Sequence, residues 1–264
     1  MLAERGLFDK YDYEFRVFNQ MKKSFKILIL VSINLIVATA ASLLVIGCRQ
    51  NIFEKDGGFT LQPGDLLFQD LDCGPLCDAI EIVTTGFQGA RFSHVGIVAK
   101  NDNGDPVVIE ALSDGVEATP LQAFLDRSFD AKGRPKVVAG RLKPPFRHLI
   151  PAAIKEASAL KGKPYDKLFV IGNDSYYCSE LIYEIFLRAS DSKPLFILQP
   201  MTFKTPDTGS IFPAWQEYFS NLGAAVPEGQ PGINPGAISC SQALVIIHIY
   251  GIPDGCQERE PNNR

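Results

Sequence analysis

The chain has 264 residues, 46% hydrophobic and 21% charged, with a formal net charge of −4. That is globular composition, enough for one domain of about 200 residues plus extra segments. The mildly acidic balance and the lack of any basic run exclude an electrostatic case for nucleic acid as a partner.

The apolar excess lies near the front. Met21-Lys22-Lys23-Ser24-Phe25-Lys26 is a short basic segment, and residues 27–46 are almost continuously apolar before Gly47 and Cys48. A basic start, an apolar stretch and a small residue before the break make an export signal over residues 21–47. Val45-Ile46-Gly47-Cys48 also resembles the lipobox of bacterial lipoproteins, in which the cysteine becomes the lipidated N-terminus. Cys48 is then the expected lipid anchor, and the bacterial cell envelope the expected location. The alternative is an uncleaved transmembrane anchor, since about 20 apolar residues suffice to span a bilayer. Residues 1–20 form a mixed-charge leader unlike a signal start, which makes Met21 the expected first residue. Residues 1–47 are therefore read as leader and signal, 48–58 as a polar tether, 59–256 as the folded domain and 257–264 as a tail.

The domain opens with a turn signal, Leu61-Gln62-Pro63-Gly64, and a short strand, Asp65 to Gln69. A helix is expected from Gly74-Pro75 to Thr84, with Pro75 in its first turn and Gly86 beyond its end. Ser93–Lys100 and Val107–Leu112 read as two strands of a hairpin. Thr119-Pro120 reads as a cap and first residue of a short helix reaching Arg127. Val137–Leu142 is a strand, and Pro151 opens a helix that Gly162 closes. After Ser190 the pattern loosens into an amphipathic helix, Phe212–Leu222, a Gly/Pro-rich loop from Val226 to Gly236, and a strand, Ala243–Tyr250, too apolar to face water.

The stretch Ser175–Leu187 gathers the rest. Ser175 is a good N-cap, Cys178 falls in the first turn with Glu180, and Leu181, Ile182, Ile185 and Phe186 recur on one helical face. A thiol at a helix start is polarised toward thiolate and becomes a nucleophile. The plainer reading is a small buried apolar residue. Upstream, a three-residue turn pairing Lys100 with Gly104 sets His94 directly opposite Glu110 on one face of the hairpin. A carboxylate there can fix the tautomer of an imidazole and raise its basicity. Taken singly, His94 reads as a structural histidine, and Glu110 as a solvent-facing carboxylate or the partner of a nearby arginine. Together with Cys178 they supply a base, its orienter and a nucleophile, and the helix N–H groups supply donors for an oxyanion.

The blocks GDLLF (64–68), FSHVGIV (92–98), VIEA (108–111), GKPYD (162–166) and YYCSEL (176–181) are similar, in the same order, to the permuted papain-like amidases. These form the YiiX-like branch of the NlpC-type cysteine peptidase superfamily. The resemblance implies an α+β, papain-like, circularly permuted fold with an antiparallel sheet and packed helices, histidine preceding cysteine. It implies Cys178 as nucleophile, His94 as general base, Glu110 as the orienting member and Tyr165 as a substrate-pocket residue. It implies hydrolysis of an amide bond through a thioester, on a small peptide or amino-acid amide of the cell-envelope kind. No cofactor and no metal are expected. The same residues also fit acyl transfer or lipid acyl hydrolysis of the lecithin–retinol acyltransferase type. A non-catalytic binding lipoprotein is the third reading.

Among the remaining candidates, Cys73 and Cys77 read either as a disulfide, strained by i,i+4 spacing, or as two packed thiols. Cys240 and Cys256 flank the last strand and bridge only if the chain doubles back. His248 reads as a buried structural histidine and His148 as a surface loop residue.

Overall fold

The computed structural model describes residues 59–257; the expected signal, lipid anchor and tether, and almost all of the tail, lie outside them. Eight strands occur among the described residues: β1 (Leu66–Gln69), β2 (His94–Lys100), β3 (Pro106–Leu112), β4 (Gly115–Pro120), β5 (Val137–Leu142), β6 (Gln199–Pro200), β7 (Pro231–Gly232) and β8 (Leu244–Ile249). Six α-helices join them: α1 (Pro75–Val83), α2 (Leu121–Leu125), α3 (Ile150–Ala159), α4 (Cys178–Ala189), α5 (Pro213–Asn221) and α6 (Pro235–Ser239). Six strands form one sheet in the order β4-β3-β2-β1-β5-β8, antiparallel at each neighbouring pair. This is the mixed, antiparallel architecture expected of a permuted papain-like fold.

Strand alternation sorts the sheet into two buried faces. Leu66 pairs with Ile97 and Phe68 with Val95, and these residues share a core with Leu181, Ile182, Ile185 and Phe186 of α4. Each of those four α4 side chains is fully buried, worth about 1.5–3 kcal/mol apiece relative to exposure. Helix α4 packs against α3, β2 and β3. The opposite face carries Gln69, His94, Val108 and Glu110, all buried, and α2 lies against β3 and β4.

Three local expectations are corrected. Thr119 and Pro120 finish β4 instead of opening a helix, because Thr119 pairs with Val108 and extends the ladder; α2 starts at Leu121 with Pro120 as its cap. Strand β8 is the sheet's edge beside β5 and is only half-buried, with Val245 43% exposed. His248 is accordingly not a buried core histidine. It is half-exposed, its ring edge-on to Tyr250 at 4.5 Å. His148 is exposed, in a 3-10 turn over Pro144–Leu149.

Cys73 and Cys77 are disulfide-bonded, with Cα atoms 5.5 Å apart. Cys178 and Cys240 carry free thiols.

Candidate active site

The hairpin of β2 and β3 turns through five residues, Asn101 to Asp105, not three. The Asn101 carboxamide oxygen accepts from the N–H groups of Asn103 and Asp105 at 3.0 and 2.9 Å and props the turn open. Lys100 therefore pairs with Pro106 and Ile97 with Ile109, a register two residues from the expected one. A shift of two preserves the face. Continued, it sets Glu110 across from Gly96, and His94 reaches the carboxylate diagonally, Nε2 to Oε2 at 2.6 Å. Gly96 makes the diagonal possible. A Cβ there would stand 2.4 Å from Val108 Cγ1 and 3.2 Å from Glu110 Cβ.

Glu110 has no solvent exposure and is held on both oxygens. Arg127 donates from its two terminal nitrogens at 2.7 and 2.6 Å, and the Thr119 hydroxyl donates to Oε1. Glu110 thus contacts both His94 and an arginine, the two partners that the sequence readings offered it. Burial alone would raise its pKa, but the hydrogen bonds and charges of His94 and Arg127 outweigh it and hold the carboxyl at about 2. Phe124 closes the group, 5.9 Å from the His94 ring and 5.2 Å beneath the Arg127 guanidinium.

Cys178 is the first residue of α4. Ser175 does not cap that helix: its N–H and hydroxyl turn to Asn173, and Tyr177 takes the cap position. Glu180, three residues into the helix, accepts from the Tyr177 and Gly172 N–H groups at 3.4 and 3.2 Å. Burial pushes its carboxyl up to about 8 despite those bonds. The Cys178 sulfur is buried, 3.9 Å from the Ser93 carbonyl oxygen and 3.9 Å from Ser179 Oγ. Because His94 opens β2 next to Ser93, whose carbonyl oxygen the sulfur approaches, imidazole and thiol are near enough to act on each other's titration. With Nε2 committed to Glu110, Nδ1 is the nitrogen left for the sulfur. Burial would raise the thiol and lower the imidazole. The interaction between them, with Glu110 behind, prevails: the thiol is lowered and His94 is raised to about 9. A thiolate–imidazolium pair is the form these shifts favour at neutral pH.

A cleft of about 260 Å³ opens at Cys178. Tyr165 and Tyr177 line it. The Tyr165 hydroxyl is pushed well above its ordinary range by burial and by the neighbouring Cys178 charge. Phe169 lines it too, at φ +56°, a left-handed conformation costly for a bulky residue, roughly 1–3 kcal/mol. The Asp166 carboxylate holds that turn by accepting from Leu168 and Val170 N–H at 2.8 and 2.6 Å. The Phe169 ring meets Tyr177 at 5.2 Å and Trp215 edge-on at 5.4 Å. Much of the remaining wall comes from residues 197–203 and 232–237, the segment to which sequence reasoning gave no role. It is pinned to α4: Ser179 Oγ donates to the Ile233 carbonyl at 3.1 Å, and Ile233 N–H donates to the Tyr177 hydroxyl at 3.1 Å. Gly236 admits the close approach, since a Cβ there would lie 2.1 Å from the Thr84 carbonyl oxygen.

A helix-borne thiol, a strand-borne histidine and a buried carboxylate on an antiparallel sheet are the parts of a papain-like cysteine hydrolase fold, here with the histidine first in the chain. The chain belongs to the family of permuted papain-like amidase enzymes (YaeF/YiiX, C92 family), whose model matches residues 60–248. It is similar to the uncharacterized protein YiiX of Escherichia coli K12, 29% identical over 128 residues, which are 48% of this chain and 58% of that protein. The match therefore spans under two thirds of the curated relative. The fold is also similar to the crystal structure of metalloprotein YiiX from Escherichia coli O157:H7, with a TM-score of 0.59 at 23% identity, over 73% of this chain and 99% of that one. Among the described residues here, no group of three or more His, Cys, Asp or Glu side chains could hold a metal ion.

Proposed function

We propose that the chain is an exported, lipid-anchored cysteine hydrolase that cleaves an amide bond through a thioester, with Cys178 as nucleophile, His94 as general base and acid, and Glu110 as the group that orients His94. The observation that carries this reading is the buried contact of His94 with Glu110 at 2.6 Å beside Cys178, whose sulfur lies 3.9 Å from the Ser93 carbonyl oxygen, with the thiol lowered and the imidazole raised.

In this reading the Cys178 thiolate attacks the carbonyl carbon and the carbonyl oxygen becomes an oxyanion. The N–H groups in the first turn of α4 have no intrahelical acceptor and are its natural donors. His94 passes its proton to the leaving amine as the C–N bond breaks, giving the thioester. Water, surrendering a proton to His94, then attacks the thioester; the acid leaves and the thiol is restored. Tyr165 borders the substrate. The domain at 59–256 is presented at the bacterial envelope by a signal over 21–47, lipidated Cys48 and a tether over 48–58, with 257–264 as a tail. The substrate is a small peptide or amino-acid amide.

The test is the pH dependence of iodoacetamide alkylation at Cys178, read by peptide mass spectrometry in wild type and His94→Ala. Ready labelling well below pH 8 that is lost in the variant is the expected result. A Cys178 that titrates near 8.5 in both proteins, as a free thiol does, ends the catalytic reading.

A further inference from the structure

Gln69 ends β1 in direct pairing with His94, on the same face of the sheet, and has no solvent exposure. Its side-chain Nε2 donates to the Phe124 carbonyl at 2.8 Å. The amide can stand only this way round, since the reverse would set two acceptors face to face. Its Oε1 is buried and takes no hydrogen bond among the described residues. Such a group is a poor source of stability, because the unpaired oxygen offsets what the donated bond contributes. What the carboxamide does supply is position. Helix α2 has five residues and no side-chain cap, too short to stand by itself. Two consecutive residues at the end of β1 fasten it: Gln69 through the Phe124 carbonyl, and Asp70, whose carbonyl oxygen accepts from the Ser128 hydroxyl. These two points bracket Phe124 and Arg127. The Phe124 ring lies 5.9 Å from the imidazole and 5.2 Å from the guanidinium, and Arg127 donates to both oxygens of Glu110.

Resting on the cysteine-hydrolase reading above, we infer that Gln69 is a positioning residue: by gripping the Phe124 carbonyl it holds the Phe124 ring against His94 and steadies Arg127 on Glu110, so that the imidazole keeps one orientation beside Cys178. Gln69 touches neither the thiol nor a substrate in this role. It acts through Phe124, and the ring excludes water from the contact between His94 and Glu110.

Gln69→Met tests this without turnover. It keeps the side chain's length, removes Nε2 and the unpaired oxygen together, and should leave the urea midpoint nearly unchanged. The proton between His94 Nε2 and Glu110 should give the wild type a proton NMR signal far downfield of the amides, identified by its loss in His94→Gln. In Gln69→Met that signal should broaden through exchange with water. The alkylation midpoint of Cys178 should rise by about one pH unit, which is about tenfold slower labelling at pH 6. Phe124→Leu keeps the backbone carbonyl that Gln69 grips and should produce the same two changes. The double variant should then add little to either single one, as residues acting through one contact do. A sharp His94 signal or an unmoved midpoint in folded Gln69→Met, or losses that simply add in the double variant, overturns the positioning role and leaves the hydrolase reading standing. Should Gln69→Met fail to fold, a sharp signal or an unmoved midpoint in Phe124→Leu overturns it equally. A wild-type Cys178 that titrates near 8.5 ends the hydrolase reading and this role with it.

Discussion

Replacing Glu110 with glutamine keeps the side chain's shape and removes its charge. In the folded protein that carboxyl titrates at about 2 against an ordinary 4.5. The difference corresponds to about 3 kcal/mol of stability at pH 7. In a domain of this size such a loss lowers Tm by roughly 6–12 °C. Because the folded pKa is depressed, the stabilisation is fully present above about pH 4.5 and disappears as pH falls toward 2. The gap between wild type and Glu110→Gln, measured by urea unfolding, should therefore be widest near neutrality and close on acidification. The same substitution withdraws one of the two partners that hold His94 at about 9. The imidazole should fall, the Cys178 thiol should rise with it, and the alkylation midpoint of Cys178 should move to higher pH. A variant as stable as wild type at pH 7, or equally destabilised at pH 7 and pH 3, with an unmoved alkylation midpoint, would refute the linkage drawn among Arg127, Glu110, His94 and Cys178.

Gly96→Ala places a methyl group 2.4 Å from Val108 and should cost about 1–3 kcal/mol in urea unfolding, with slower Cys178 alkylation because the diagonal from His94 to Glu110 is displaced. Thr119→Val removes one donor from the buried carboxylate and should cost about 1.5–3 kcal/mol, with unchanged far-UV circular dichroism because β4 keeps its backbone partners. Amide hydrolysis should decline as pH rises through about 9, where His94 loses the proton the leaving amine needs. His94 is raised on folding, so its stabilising share is full below about 6.5 and is lost through about 9. The urea midpoint of wild type should drop across that window, and that of His94→Gln should drop less.

The pairing of His94 with Glu110 was legible from the sequence although the turn between them was not. The three-residue turn assumed for Asn101–Asn103 misjudged Asn101, whose side chain caps two backbone N–H groups and widens the loop to five residues. The error was even in number, and strand period protects an even slip from changing faces. Arg127 and Thr119 were missed for a different reason. Thr119-Pro120 is as good a helix opening as it is a strand end, and what decides between them is the ladder to β3, a partner no local window contains. The cleft wall was out of reach altogether. Residues 197–203 and 232–237 carry no periodic signal; Ile233 is placed by hydrogen bonds to Tyr177 and Ser179 more than 50 residues away, and Gln199 and Pro200 by pairing with Gly232 and Pro231. The helix bearing Cys178 was readable because its apolar spacing is local; its true cap was not, since Ser175 found a closer partner in Asn173.

The fastening of Ile233 to the first turn of α4 also sets an order in time. A chain made from its N-terminus completes the hairpin and the nucleophile's helix first, and Ile233 and the end of strand β8 emerge only 44 and 60 residues after Ala189, the helix's last residue, roughly 2–12 s at ordinary rates of synthesis. Until then the thiol and imidazole have no finished cleft beside them. In the hydrolase reading, competence to select a substrate is therefore the last property the growing molecule acquires, and a chain cut short after α4 would carry Cys178 without the wall that encloses it.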